Sequence, residues 1–177
     1  MPSVAPAIVN SAMTPVASQT GTDITLRNGG GSDDGTAVWA ELAAATGGPG
    51  TGVFDLTISG VTAGDRVEVG FTTACWDSAN AWAMLNFASR VSGATVNYLY
   101  PTPASPGTFA TGQGICIASA NAFRQTVGSF MYTVLAGDLS SGSLTIRPVY
   151  KTILASNRTL SRSAGIPVIF SIKNLGH

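Results

Sequence analysis

Residues 53–71 read VFDLTISGVTAGDRVEVGF. Phe54, Leu56 and Ile58 recur at every second position, with Asp55, Thr57 and Ser59 between them. After VTAGD the pattern repeats, with Val67, Val69 and Phe71 alternating against Arg66 and Glu68. Successive side chains of a strand point to opposite faces, so this alternation predicts two strands, each buried on one side. The corner between them is Ala63-Gly64-Asp65: glycine supplies the positive φ of a tight turn, and aspartate bonds its own nearby backbone. The two runs read as adjacent antiparallel strands or as strands that cross between sheets.

A second unit of the same design follows. SFMYTV leads into Leu135-Ala136-Gly137-Asp138 and then SLTIRPVY, where Leu144, Ile146 and Pro148 oppose Thr145, Arg147 and Val149. Both places read strand, AGD, strand, so the chain is built from comparable β units. Between and beyond them, AWAMLNFAS, GATVNYLYP, GICIAS and PVIFSI supply bulky strand-compatible positions, the last suited to a central or interfacial strand. TAVWAELAAAT (36–46) mixes helix-favouring alanines with a Val38, Ala40, Leu42 alternation, and GGPGTG bounds it; a short strand is expected there. Pro101–Gly114, with three prolines, reads as a surface loop. Short strands at about 8–12 residue spacing, without a long amphipathic helix, predict an all-β antiparallel sandwich, jelly-roll-like, over residues 36–177.

Residues 1–35 read differently. Pro2, Pro6 and Pro15 favour extended backbone, and NGGGSDDG is a linker by composition. Val4, Ile8, Val9 and Met13 nevertheless offer apolar contacts. The segment reads as a disordered tail or as an arm that orders against a partner. Its opening lacks the basic start and unbroken apolar run of a secretory signal, so none is expected.

Only 10% of residues are charged, nine basic and nine acidic, where a soluble domain carries roughly 25%. Eighteen serines and twenty threonines supply small hydroxyls that suit either a wet surface or contacts between subunits. So sparse a charge points to an obligate oligomer whose copies cover one another, with a hydroxyl-coated monomer as the alternative. Residues 1–80 hold eight acids against two bases and residues 81–177 seven bases against one acid, which adds weak support for self-association. Zero net charge marks no nucleic-acid partner. No run approaches the roughly 20 apolar residues of a membrane helix, so no membrane partner is expected.

The residues offer little for catalysis: two carboxylates would suffice for a glycosidase, but nothing in the sequence places two across a cleft. The one histidine is His177, at a chain end of the kind that frays, which leaves histidine-based acid–base and nucleophilic schemes without a base. Phosphate-binding glycine motifs are missing, and Asp33-Asp34 lack the further carboxylates of a calcium loop. The expectation is therefore a protein that is not an enzyme and uses neither cofactor nor metal. Cys75 and Cys116, 41 positions apart, read as two buried thiols, or as a single bridge in an oxidising place. Trp76, Trp82, Tyr98 and Tyr100 are candidates for a subunit interface or for an aromatic platform on which a host-surface glycan stacks.

The extended start, the glycine linker, strand-VTAGD-RVEV, the later YTVLAGD-strand and the closing KNLG resemble small jelly-roll virion proteins of tailed bacteriophages. Seven arginines against two lysines fit the same source. The resemblance spans residues 36–177 and rests mainly on turn chemistry. It implies a homotrimer on the virion surface, a capsid decoration or head-fibre protein whose partner is the major capsid or another virion protein. Residues 1–34 would be its tether, with Val4, Ile8, Val9 and Met13 as contacts. A tail-associated carbohydrate-binding adhesion domain is the other role that the resemblance implies.

Overall fold

The computed structural model describes residues 23–26, 39–77, 83–100, 114–118, 123–152, 158–160 and 168–177. They form an all-β antiparallel sandwich. The first sheet holds β1 (Ile24–Leu26), β4 (Arg66–Asp77), β8 (Phe123–Thr133), β11 (Arg158–Leu160) and β12 (Ile169–Gly176). The second holds β2 (Ala40–Glu41), β3 (Leu56–Ser59), β5 (Ala83–Val91), β6 (Ala94–Tyr98), β7 (Ile115–Ala118), β9 (Leu139–Ser140) and β10 (Ser143–Thr152). Twelve-residue β4 is the spine of the first sheet, with β8 along one edge and β11 and β12 along the other. β10 and β5 are the spine of the second.

The alternating residues face as their spacing predicts. Phe54, Leu56, Ile58, Val67, Val69 and Phe71 are buried, whereas Thr57, Ser59 and Glu68 are not. Phe87 of β5 is the centre of the core and meets Phe170 edge-on at 5.7 Å, Phe130 at 5.5 Å and Phe71 at 6.1 Å. Such aromatic pairs each add about 0.5–1.5 kcal/mol beyond the area that they bury.

Of the two readings of the VTAGD corner, the crossing one holds. β3 pairs with β10 in the second sheet, and β4 pairs with β8 in the first. The later corner carries the chain back, from β8 to β10 through the 3-10 turn Ala136–Asp138. The corners lie against one another, Gly64 N donating to Val134 O and Val134 N to Asp65 O, each at 2.9 Å. They also share one device. Asp65 accepts the amide of Thr62 at 2.8 Å, and Asp138 that of Leu135 at 3.0 Å, so each aspartate closes the turn that it ends. Positive φ is needed only at Gly64 (95°); Gly137 does not adopt it.

Pro148 lies within β10, where proline ordinarily marks an edge. It sits between the part of β10 that pairs with β3, ending at Ile146, and the part that pairs with β2, starting at Val149. At that gap no ladder hydrogen bond needs its missing N–H, while its carbonyl still accepts Leu42 N at 3.1 Å.

Two expectations change. β1 falls inside the stretch read as arm and linker: Ile24 and Leu26 are fully buried, and β1 pairs with β11. These alternating apolar residues contribute to the core, so the sheet begins before residue 36. Of the run PVIFSI, Ile169–Ile172 lie in β12, which among the described residues pairs only with β4 and is therefore a flank rather than a centre. The short strand expected in 36–46 is β2.

Candidate functional site

Strands β4 and β8 pair without interruption from Arg66↔Thr133 to Trp76↔Phe123, and residues opposite one another share a face. Val67, Val69, Phe71 and Cys75 point into the core, which turns Trp76, Thr72, Gly70 and Glu68 outward. Their partners Phe123, Val127, Ser129 and Met131 turn outward with them. Val127 is 69% exposed, Phe123 52%, Trp76 51% and Met131 42%. Each would contribute on the order of 1 kcal/mol if covered, about half of what burial from full exposure yields. The same face continues onto β12 through Ile169, Ser171 and Lys173. Among the described residues its charges are Arg66, Glu68 and Lys173; Glu68 faces Lys173 across the ladder and accepts Ser129 Oγ at 2.8 Å. It is an apolar, hydroxyl-bearing surface with its few charges gathered at one end.

The aromatic residues singled out by sequence do not gather into one platform. Trp76 stands on this outer face, paired with Phe123. Tyr98 belongs to the second sheet, where it is buried with Ala88 and Val149 against Trp39, the two rings 6.0 Å apart. Burial pushes its phenol pKa up, against a smaller opposing effect of Arg90. Tyr100 is held by Asn86, whose Nδ2 donates to Tyr100 O at 2.9 Å and whose Oδ1 accepts Tyr100 N at 3.1 Å. Its ring packs edge-on against Phe130 at 5.3 Å. Trp82 lies outside the described residues, as do Val4, Ile8, Val9 and Met13.

Three polar clusters escape a reading of the sequence. Arg147 grips Asp55 with two parallel bonds, Nε to Oδ1 and Nη2 to Oδ2, both 2.7 Å, and reaches Glu41 Oε2 with Nη1 at 2.7 Å. The fork of Asp55 raises the Arg147 pKa above its ordinary value. Asp138, fully buried, accepts bonds from Ser89 Oγ (2.6 Å), Asn97 Nδ2 (2.7 Å), Leu135 N and the Tyr132 hydroxyl. Asp65 accepts Thr62 N and contacts His177 Nδ1 and, at 3.5 Å, Asn174 Nδ2. These donors, the Thr62 amide foremost, hold its carboxyl below the usual value despite burial. Partners up to 112 positions apart leave no local signal, although the shared AGD motif does mark two of these aspartates.

All three clusters pin elements of the sandwich together. Asp138 ties the second corner to β5 and β6, and Arg147 ties β10 to β2 and to the loop before β3. Among the described residues no three His, Cys, Asp or Glu side chains are grouped to hold a metal. Cys75 is buried in the core and Cys116 half-buried beside Arg124 Nη1 at 3.6 Å; both are thiols. What the arrangement offers is a surface for contact.

No family model matches the sequence, and no curated protein matches it. Among solved structures the chain is similar to three of infectious bursal disease virus. One is of the Gx strain (10% identity, TM-score 0.46, 98% of this chain and 46% of that one). Another is the VP2 subviral particle (10%, TM-score 0.44, all of this chain and 47% of that one). The third is a D431N mutant VP2 in T=1 particles (11%, TM-score 0.42, all of this chain and 45% of that one). The chain thus spans less than half the length of these structures, and the scores fall short of a common fold.

Proposed function

We propose that the protein is a structural virion component: a homotrimeric decoration or head-fibre protein on the capsid surface of a tailed bacteriophage. The observation that carries this reading is the outer face of β4 and β8, where Trp76, Phe123, Val127 and Met131 stand exposed on a surface with few charges. Four large apolar side chains exposed on one weakly charged face, with Gln125 and Ser129 between them, suit a surface covered by another protein. The virus-particle structures named above are a likeness in class only, and the proposal rests on the face.

In this reading the face packs against sister copies. Residues 1–22, with Val4, Ile8, Val9 and Met13, tether the trimer to the major capsid or another virion protein, as an extended segment lies in a groove or adds a strand. Three tethers act together, so each can be weak. The tether ends before Ile24, because removing β1 would strip two fully buried side chains from the core.

Sedimentation equilibrium of the full chain tests the assembly: the expected mass is a multiple of three times 18.0 kDa. Deleting residues 1–22 is expected to abolish co-sedimentation with capsid shells and to leave that mass and the unfolding midpoint unchanged. A monomer, or shell binding that survives the deletion, overturns the reading.

A tail-associated carbohydrate-binding domain is the second reading. Its support is the Trp76–Phe123 pair, two neighbouring half-exposed rings at one end of the face. Here Trp76→Ala is expected to abolish binding on a glycan array, and deletion of residues 1–22 is expected to spare it.

A further inference from the structure

Strand β8 runs for eleven residues at the edge of the first sheet. It pairs with β4 along its length without a register shift, and among the described residues no strand pairs with its other side. An open edge presents a row of unpaired N–H and C=O groups, and edge strands are ordinarily guarded by shortness, charge, proline or a bulge. The other edges here are guarded. β1 has three residues, β7 four and β6 five, while β12 carries Lys173 and a register shift between Asn174 and Gly176. β8 has no proline, no bulge and a single charge, Arg124, next to its first residue.

The sequence of β8 identifies the strand that fits this edge. Its outward row is Phe123, Gln125, Val127, Ser129, Met131. When the strand is turned antiparallel to itself about Val127, Val127 faces Val127, Gln125 faces Ser129 and Phe123 faces Met131. Each pairing is favourable: β-branched on β-branched, amide on hydroxyl, and a thioether on an aromatic ring. On the other face Arg124 meets Phe130, and Thr126 meets Gly128, which has no side chain. The charges also agree. The two Arg124 side chains stand six residues apart along the pair, about 20 Å, well beyond the roughly 8–10 Å over which exposed charges act.

We infer that β8 pairs with β8 of a second copy about a two-fold axis through Val127, joining two first sheets into one continuous sheet. Residues 123–131 of both copies overlap, which yields about eight to ten backbone hydrogen bonds, the usual number for a specific interface. The backbone bonds use the strand's edge, and the outward side chains of β8 come to lie beside those of the second copy on one continuous outer face. A three-fold contact through that face and a two-fold contact through this edge are compatible, and together they link trimers to one another. The inference does not depend on the virion reading.

The test is made in the full chain carrying Cys116→Ser, which removes the half-buried thiol. Facing Cα atoms of an antiparallel pair are about 4.5–5.5 Å apart, inside the range that a disulfide spans. Mild oxidation of Val127→Cys is expected to convert most chains into a linked pair of twice 18.0 kDa. Gln125→Cys or Ser129→Cys alone is expected to give no linked pair, and the two together to give one. V127K, at a position exposed enough to spare the fold, sets two ammonium groups face to face; added to the chain carrying Gln125→Cys and Ser129→Cys, it is expected to prevent the linked pair with an unchanged circular dichroism spectrum. The inference is overturned if Val127→Cys stays unlinked, if Gln125→Cys links alone, or if V127K leaves the Gln125→Cys, Ser129→Cys pair linked. It is overturned too if deleting residues 1–22, and not V127K, exposes the β8 amides to hydrogen exchange, because the amino-terminal segment would then be the occupant.

Discussion

Replacing Asp138 by alanine tests whether the second corner is held by its carboxylate. The side chain is fully buried and accepts four bonds, from Ser89 Oγ, Asn97 Nδ2, Leu135 N and Tyr132 Oη. Ser89 and Tyr132 are themselves buried, so their hydroxyls lose their acceptor away from water, whereas the Leu135 and Asn97 donors are only part-buried. Each of the two buried orphans costs about 1–2 kcal/mol and the two part-buried donors together about 1 more, which puts Asp138→Ala at roughly 3–5 kcal/mol. That is a large part of the ~5–15 kcal/mol that holds a domain together. At about 2–4 °C per kcal/mol for a chain of this size, the midpoint is expected to fall by about 6–20 °C. Tyr132→Phe removes one donor and leaves the carboxylate three, so about 1 kcal/mol is expected. Burial, and secondarily Asp138, push the Tyr132 phenol far above its ordinary pKa, so it remains a donor under alkaline conditions. Thermal unfolding followed by tryptophan fluorescence measures both variants. If Asp138→Ala lowers the midpoint no more than Tyr132→Phe does, the carboxylate is not the organising group and the reasoning fails.

Three further outcomes are expected. Arg147→Met leaves Glu41 and Asp55 without their cation; because all three are partly exposed, the loss at pH 7 is about 1–3 kcal/mol. Urea midpoints at pH 7 check this, and a variant as stable as the parent chain contradicts it. Asp65 has a folded pKa below its ordinary 3.8, so the native state binds fewer protons than the unfolded chain. Its contribution is complete above that value and is lost as pH falls through the lower folded value, so Asp65→Asn is expected to flatten the acid limb of a stability–pH curve. Gly128→Ala would put a Cβ 2.9 Å from Cζ of Phe71, a ring packed on Phe87; about 1–3 kcal/mol is expected from the forced shift, read as a lower unfolding midpoint.

Much of the strand content was legible. Leu56, Ile58, Val67, Val69, Phe71, Leu144 and Ile146 announce their inward faces because the pleat alternates side chains with a period of two. The AGD repeat marked two comparable corners, and both aspartates close their turns in the same way. The candidate site was less legible. Trp76 and Tyr98 look alike in sequence, yet one stands half-exposed and the other is buried beneath Trp39. Exposure of an aromatic ring depends on what lies across the sheet, which its neighbours along the chain do not record. β1 was missed for the same reason: Ile24 and Leu26 are buried only because β11, more than 130 residues later, provides their partner strand.

Sequence alone therefore determined the class of structure, its corners and the sparseness of charge, since these follow from local pleat geometry, glycine and aspartate turn chemistry and composition. Tertiary structure decided which sheet each strand joins, which carboxylates meet Arg147 and that β8, among the described residues, pairs on one side only. Those outcomes depend on pairings between residues about 50 to 110 positions apart, and the chain acquires them only when both sheets close on one core.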